Sequence, residues 1–164
     1  DMAPTSASRW LLCDMRVVIQ RVSKAEVRID GAVSGAIESG FCIFVGIEDE
    51  DSPIDADWLA AKIAKLRVFN DGEGKMNADL ADVGGRVLVV SQFTLHASTK
   101  KGNRPSYIRS SKPTISEPMY NNFVQKLKTE SNLLVQTGKF GSDMQVSIEN
   151  DGPVTIFLDS HNKE

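Results

Sequence analysis

Histidine and cysteine are scarce, with two of each in 164 residues. A serine hydrolase of the usual kind needs an imidazole to take the nucleophile's proton. Here His161 lies near the C-terminus, and His96 follows Leu95 just past an apolar run, where a surface or partly buried imidazole is expected. His-x-x-x-His, His-x-x-Glu-His and Cys-x-x-Cys spacings are all missing, so neither a metal nor another cofactor is expected. Cys13 and Cys42 imply no disulfide framework, which fits a reducing compartment and a cytoplasmic protein. Cys42 stands within Gly40-Phe41-Cys42-Ile43-Phe44-Val45, where burial is expected to leave it inert. The longest apolar run, Phe41 to Ile47, is strand length and falls far short of the roughly 18 residues of a membrane span, so a soluble protein with no membrane partner is expected. Internal repeats and low-complexity segments are also missing.

At 41% hydrophobic residues, the chain is rich enough in apolar side chains to bury a core as one globular domain. Residues 1–14 show no strand or helix period and are set apart as an N-terminal extension, a tag or a processed segment. The domain is expected to span 15–159, with 160–164 as a C-terminal tail. A formal net charge of -3 argues against wholesale electrostatic binding of nucleic acid, but the charges are segregated. Glu48, Asp49, Glu50, Asp51, Asp55 and Asp57 form an acidic run, whereas Lys100, Lys101, Arg104, Arg109 and Lys112 form a basic stretch free of acids. Such a stretch is either a solvated loop or a contact for an RNA phosphate backbone.

Arg16 to Ile29 alternates β-branched with charged residues, and Asp30-Gly31 supplies a hairpin turn before strands around 32–37 and 41–47. Ser52-Pro53 opens a helix whose Trp58, Leu59, Ile63 and Leu66 face a sheet, with Trp58 in the core. Asn70 to Lys75 is loop chemistry, a solvated turn and not a cation site. The buried run Arg86 to Val90 delivers Ser91 to Thr94 at a strand end, where a rigid sheet holds working residues well. A second helix is expected near Ser116, with Pro118 in its first turn and Met119, Phe123, Val124 and Leu127 on its apolar face. Strands at 133–136, 144–149 and 154–158 complete the pattern, the last two joined across a turn at 150–153. The fold class is α+β, a curved and partly barrel-like antiparallel β-sheet with two covering helices.

Two stretches stand out, Ser91-Gln92-Phe93-Thr94-Leu95 and Asn150-Asp151-Gly152-Pro153-Val154-Thr155. Each sets small polar and backbone groups beside a strand pattern. With MRVVIQRV at the front, KGNRPSY in the middle and FGSDMQVSIENDGPVTI at the back, they resemble the D-aminoacyl-tRNA deacylase family from Met15 to about Asp159.

The resemblance implies hydrolysis of the ester of D-aminoacyl-tRNA, and of glycyl-tRNA mischarged on tRNA-Ala, by a homodimer with active sites at its interface. It assigns oxyanion stabilisation to the amides of Phe93 and Thr94, with Ser91 and Gln92 shaping the pocket. Phe140, Met144, Asn150, Gly152, Pro153, Val154 and Thr155 are implied to bind substrate, and Lys100, Lys101, Arg104 and Arg109 to bind tRNA. Gly152-Pro153 is expected to be cis and to act as a steric filter against L-amino acids. Such chemistry suits these residues, because the ester is already activated and the ribose vicinal hydroxyl can orient water. Thr94 as a nucleophile ranks second, since no base is visible beside it. The competing class is a non-catalytic RNA- or DNA-binding module, which explains the basic stretch but makes no use of Gly152-Pro153 beside Ser91-Gln92.

Overall fold

The structure is a computed structural model that describes residues 15–49 and 51–163; the extension expected over 1–14 lies outside them. Strand β1 (Arg16–Ile29) is the spine of the sheet. Its alternation buries Val17, Ile19, Val22, Ala25 and Val27. On one edge it pairs with β3 (Gly40–Gly46) through residues 16–22 and with β2 (Ala32–Ile37) through 25–29; on the other it pairs with β8 (Gln145–Asp159) over almost its whole length. Asp30 and Gly31 both take positive φ, 49° and 79°, as the two-residue turn into β2 requires.

The sheet is mixed, not wholly antiparallel. Strand β6 (Arg86–Ser91) runs parallel to β3, and β7 (Val135–Thr137) runs parallel to β6. Parallel neighbours need a crossover, and the helices supply it. Helix α1 (Pro53–Lys65) lies between β3 and β6 in the chain, and α3 (Pro113–Ser131) between β6 and β7. A short β4–β5 pair (Phe69–Asn70, Met76–Ala78) and a one-turn helix α2 (Leu80–Val83), a third helix beyond the two expected, fill the first crossover. The strand order β2-β1-β3-β6-β7 bends into a nearly closed barrel. At the seam, Ser34 Oγ donates to the Thr137 carbonyl at 3.3 Å. A β-carbon on Gly35 would stand 2.7 Å from that same oxygen, so β2 meets β7 only because residue 35 has no side chain.

The two faces of the sheet are buried separately. Phe41, Ile43 and Val45 pack with Val87 and Val89 against Leu59 and Ile63 of α1 and Phe123 and Leu127 of α3. Cys42, Leu88 and Val90 point the other way and join Val22, Val27 and Ile37. Trp58 packs at the core's margin with Lys62 and Lys163 over its ring, and is only half-buried. Helix α3 begins at Pro113, earlier than expected; Pro113 is the first-turn proline and Pro118 lies inside the helix. The Lys112 carbonyl fixes that start by accepting from the Ile115 and Ser116 amides, both at 2.9 Å. Asp71 accepts from the amides of Glu73 and Lys75 at 2.8 and 3.0 Å, which holds its carboxyl below the ordinary range and makes the 70–75 loop a self-closed turn. Residues 160–163, read as a tail, fold back onto the body: Met15 donates to Ser160 Oγ at 3.0 Å, and Ser160 is buried.

Tyr120 reaches from α3 to the sheet, its hydroxyl donating to the Val89 carbonyl at 3.0 Å. Burial pushes this phenol up to about 12 from 10.0, and the Cys42 thiol up to about 12 from 9.0. Both groups hold their proton more tightly when folded, so their contribution is complete below the unfolded values and is lost as pH rises towards 12. Urea melts between pH 9 and about 12 should show steeply falling stability, and Tyr120→Phe should lower the neutral-pH value by about 1 kcal/mol while flattening the alkaline fall.

Candidate active site

The buried run Val87 to Val90 carries β6 to its end, where Ser91 pairs with Val45 and the Gln92 amide donates to the Val45 carbonyl at 2.7 Å. The chain then tightens into a 3-10 turn over Phe93–His96. Its first internal bond runs from the Leu95 amide to the Gln92 carbonyl at 3.2 Å. The Phe93 and Thr94 amides precede that bond and have no carbonyl partner within the turn, as at any helix start.

The turn sits close on β3 because residue 46 is glycine. A β-carbon there would lie 3.0 Å from Gln92 O, His96 Nδ1 and Leu95 Cβ alike. Arg16 Nη1 holds the Leu95 carbonyl at 3.0 Å, Ser110 Oγ donates to the Phe93 carbonyl at 3.0 Å, and Gln92 Nε2 donates to Thr94 Oγ1 at 2.6 Å. Gly46→Val should lift the turn off the strand and reduce turnover by about 10²-fold, the scale expected when catalytic groups shift by an ångström. Initial rates beside a far-ultraviolet spectrum that matches the unsubstituted protein check this.

These elements wall a cavity of about 520 Å³, together with the start of α3, the loop 140–144 and the start of β8. Ser91, Gln92, Phe93, Thr94, Phe140 and Met144 all line it. So do Gly46, Ser110, Ser111, Ser116 and Ser142, which sequence reading missed, since a glycine ending an apolar strand and serines in loops or at a helix start carry no distinctive signal. Among the described residues, no His, Asp, Glu, Lys, Arg or Cys lines the cavity. His96, expected at or near the surface, is fully buried instead. Its Nε2 stands 3.7 Å from Glu48 Oε1, beneath the turn.

Asn150, Gly152, Pro153, Val154 and Thr155 do not join the cavity of their own chain. The expected turn at 150–153 is a bulge: β8 continues along the same edge of β1 on both sides of it. Between the pairs Val22↔Asn150 and Gln20↔Thr155, residues 151–154 stand opposite Arg21 alone. Gly152-Pro153 is cis, and Asn150 to Pro153 and Thr155 are exposed while Val154 is half-buried. Arg21, concealed in the alternation of β1, anchors the bulge. Its Nε donates to the Asp151 carbonyl at 3.0 Å and its Nη1 to the Val68 carbonyl at 2.6 Å.

Of the basic stretch, Lys100, Lys101 and Arg104 are exposed on a loop closed by paired Ser98–Ser106 amide bonds of 2.8 Å. Arg109 is exposed as well, but its guanidinium is engaged, 2.6 Å from Glu48 Oε1. Asp51, Asp55 and His161 bring ligand atoms within 4.8 Å of one another, but Asp55 caps the start of α1 and none of the three lines the cavity.

The pocket is walled by strand ends and a 3-10 turn, and it offers hydroxyls and main-chain amides in place of charged groups. The chain belongs to the D-Tyr-tRNA(Tyr) deacylase family, whose pattern matches residues 18–159. Proteins named D-aminoacyl-tRNA deacylase from Flavobacterium johnsoniae and Phocaeicola vulgatus are 55% and 58% identical, each over 92% of this chain and 100% of their own. A solved structure named c-Myc DNA Unwinding Element Binding Protein is 40% identical, with a TM-score of 0.81 over 87% of this chain and 97% of its own. A probable eukaryotic D-amino acid tRNA deacylase shares the fold at 15% identity, with a TM-score of 0.76 over 89% of this chain and 99% of its own. The activity is D-aminoacyl-tRNA deacylation. Among the described residues no helix is long and apolar enough to cross a membrane.

Proposed function

We propose that this deacylase cleaves the ester joining a D-aminoacyl group, or glycine mischarged on tRNA-Ala, to the terminal ribose, and that Gly152-Pro153 rejects L-amino acids. Water adds to the ester carbonyl, and the Phe93 and Thr94 amides donate to the oxyanion that forms. The carbon–oxygen bond then breaks, the ribose oxygen takes the proton, and a free amino acid and tRNA leave. A main-chain donor of this kind is worth about 3 to 4 kcal/mol in the transition state. The observation that carries the proposal is the cavity lining, which offers two amides at the start of a turn and no ionisable group among the described residues. The vicinal ribose hydroxyl then orients the water.

L- and D-aminoacyl groups differ at one carbon by exchange of the side chain with hydrogen. Main-chain carbonyls set where an L side chain begins exclude every L residue at its β-carbon, whatever follows. Glycine has no β-carbon and passes. Lys100, Lys101 and Arg104 contact tRNA phosphates, the enzyme works in the cytoplasm, and residues 15–159 form its single deacylase domain.

The functional unit is a homodimer in which each Gly152-Pro153 serves the partner's cavity. Supporting this, the bulge is exposed on edge strand β8, lies outside its own chain's cavity, and shares that strand with the exposed Phe157. Light scattering at micromolar concentration should give twice the chain mass; a fully active monomer rules the arrangement out. Mixing and refolding inactive Phe93→Pro and Gly152→Val chains should restore roughly a quarter of the activity, since half the dimers then hold one intact site. No restoration contradicts the shared site.

The loop bearing Lys100, Lys101 and Arg104, with the 40% identical structure named for binding a DNA unwinding element, supports a second reading as a non-catalytic RNA- or DNA-binding module. That reading predicts salt-dependent binding and no released amino acid.

A further inference from the structure

We propose that Glu48, His96 and Arg109 form a brace beneath the 3-10 turn, so that Arg109 is a positioning residue and not a phosphate contact. This rests on the reading of the Phe93 and Thr94 amides as the oxyanion donors.

Glu48 is 4% exposed, and a carboxylate so placed needs partners. Arg109 Nη2 supplies one at 2.6 Å, and His96 Nε2, on the last residue of the turn, stands 3.7 Å from the same oxygen. The Glu48 amide meanwhile donates to Asp51 Oδ2 at 2.6 Å, which fixes the residue's backbone. From Arg109 onward, each residue of the basic stretch's end is bonded to this region. Ser110 Oγ donates to the Phe93 carbonyl at 3.0 Å, the Ser111 amide to the Ile47 carbonyl at 3.0 Å, and the Lys112 amide to Asp49 Oδ1 at 3.2 Å.

The exit of β3, the turn and the end of the basic loop therefore interlock through both backbone and charge. Lifting residues 109–112 would strip a buried carboxylate of its guanidinium and release the Phe93 carbonyl in the same motion. The far end of that loop displays Lys100, Lys101 and Arg104. A tRNA seated on those cations is thus held in fixed register with the amides that meet its ester.

The test pairs kinetics on D-tyrosyl-tRNA with amide hydrogen exchange over residues 93–97, in the full chain. Arg109→Ala should lower kcat by about 10- to 100-fold, the cost of displaced catalytic groups, with KM nearly constant. It should also speed exchange across the turn, and Arg109→Lys should restore part of both. Glu48→Gln, which keeps the side chain's shape, should shift both readouts in the same direction and covers the case in which Arg109→Ala fails to fold. Lys101→Ala should instead raise KM and flatten its salt dependence. Exchange in Arg109→Ala and Glu48→Gln equal to that of the unsubstituted protein overturns the brace, as does a rise in KM alone. An unsubstituted protein that releases no amino acid overturns the deacylase reading beneath it, while exchange still decides the brace.

Discussion

A charged tRNA whose terminal ribose lacks the vicinal hydroxyl should lose its amino acid about 10²-fold or more slowly than the natural substrate, whereas Thr94→Ala should stay within about tenfold of the unsubstituted enzyme. The contrast follows from the cavity. A protein-borne base would have to be His, Asp, Glu, Lys or Cys, and none of these lines it among the described residues. Cys42, a free thiol, is buried on the sheet's inner face with its pKa pushed up to about 12, far from the thiolate a nucleophile needs. The substrate's own hydroxyl is left to orient or activate the water. The Thr94 hydroxyl already accepts from Gln92 Nε2 at 2.6 Å, and its removal leaves the turn held by Arg16, Ser110 and Gly46. Single-turnover rates with matched ribose and deoxyribose ends provide the measurement. An acyl group trapped on Thr94 or Ser91 would refute the expectation.

Gly152→Ala should reduce kcat/KM for D-aminoacyl-tRNA by about 10²-fold, with stability lowered by only about 1 kcal/mol. Residue 152 has φ 126°, where an L side chain is strained, and its β-carbon would stand 3.0 Å from both Arg21 Nη2 and Val154 Cγ2. Arg21 is 7% exposed and bonded to the Asp151 and Val68 carbonyls, so it has little room to yield. The bulge must move instead, and with it the carbonyls proposed to meet the substrate. Because the bulge lies on an exposed edge strand and only Val154 ties it to the core, the strain stays local. Rates on D- and L-charged tRNA, beside a melting curve, check both halves. A variant with unchanged D-rate and unchanged rejection of L would remove Gly152 from the site.

The central strand end was legible in the sequence because four apolar residues in a row, Val87 to Val90, leading into Ser91, have few other places to go. The hairpin at Asp30-Gly31, the helix start at Ser52-Pro53 and the burial of Cys42 rest on equally local chemistry. Parallel pairing of β3, β6 and β7 was not legible: an apolar strand looks alike whichever way its neighbour runs, so the helices were taken as covers and not crossovers. The Gly152-Pro153 bulge was read as a turn because its geometry is set by β1, more than a hundred residues away in the chain. The burial of His96 and the ion pair of Arg109 were missed for a shared reason. Their partner Glu48 sits in a run of acids that looks like a solvated surface, and only the fold buries it.

The central claim is that a main-chain site hydrolyses D-aminoacyl-tRNA and excludes the L form. One comparison tests it most directly: purified protein with D-tyrosyl-tRNA and with L-tyrosyl-tRNA, at equal concentration and salt, following released tyrosine. The account predicts release from the D substrate at least about 10³-fold faster than from the L substrate, beyond the roughly 10- to 200-fold that small differences in pocket contact supply. Equal cleavage of both, or release from neither alongside tight binding, would contradict it.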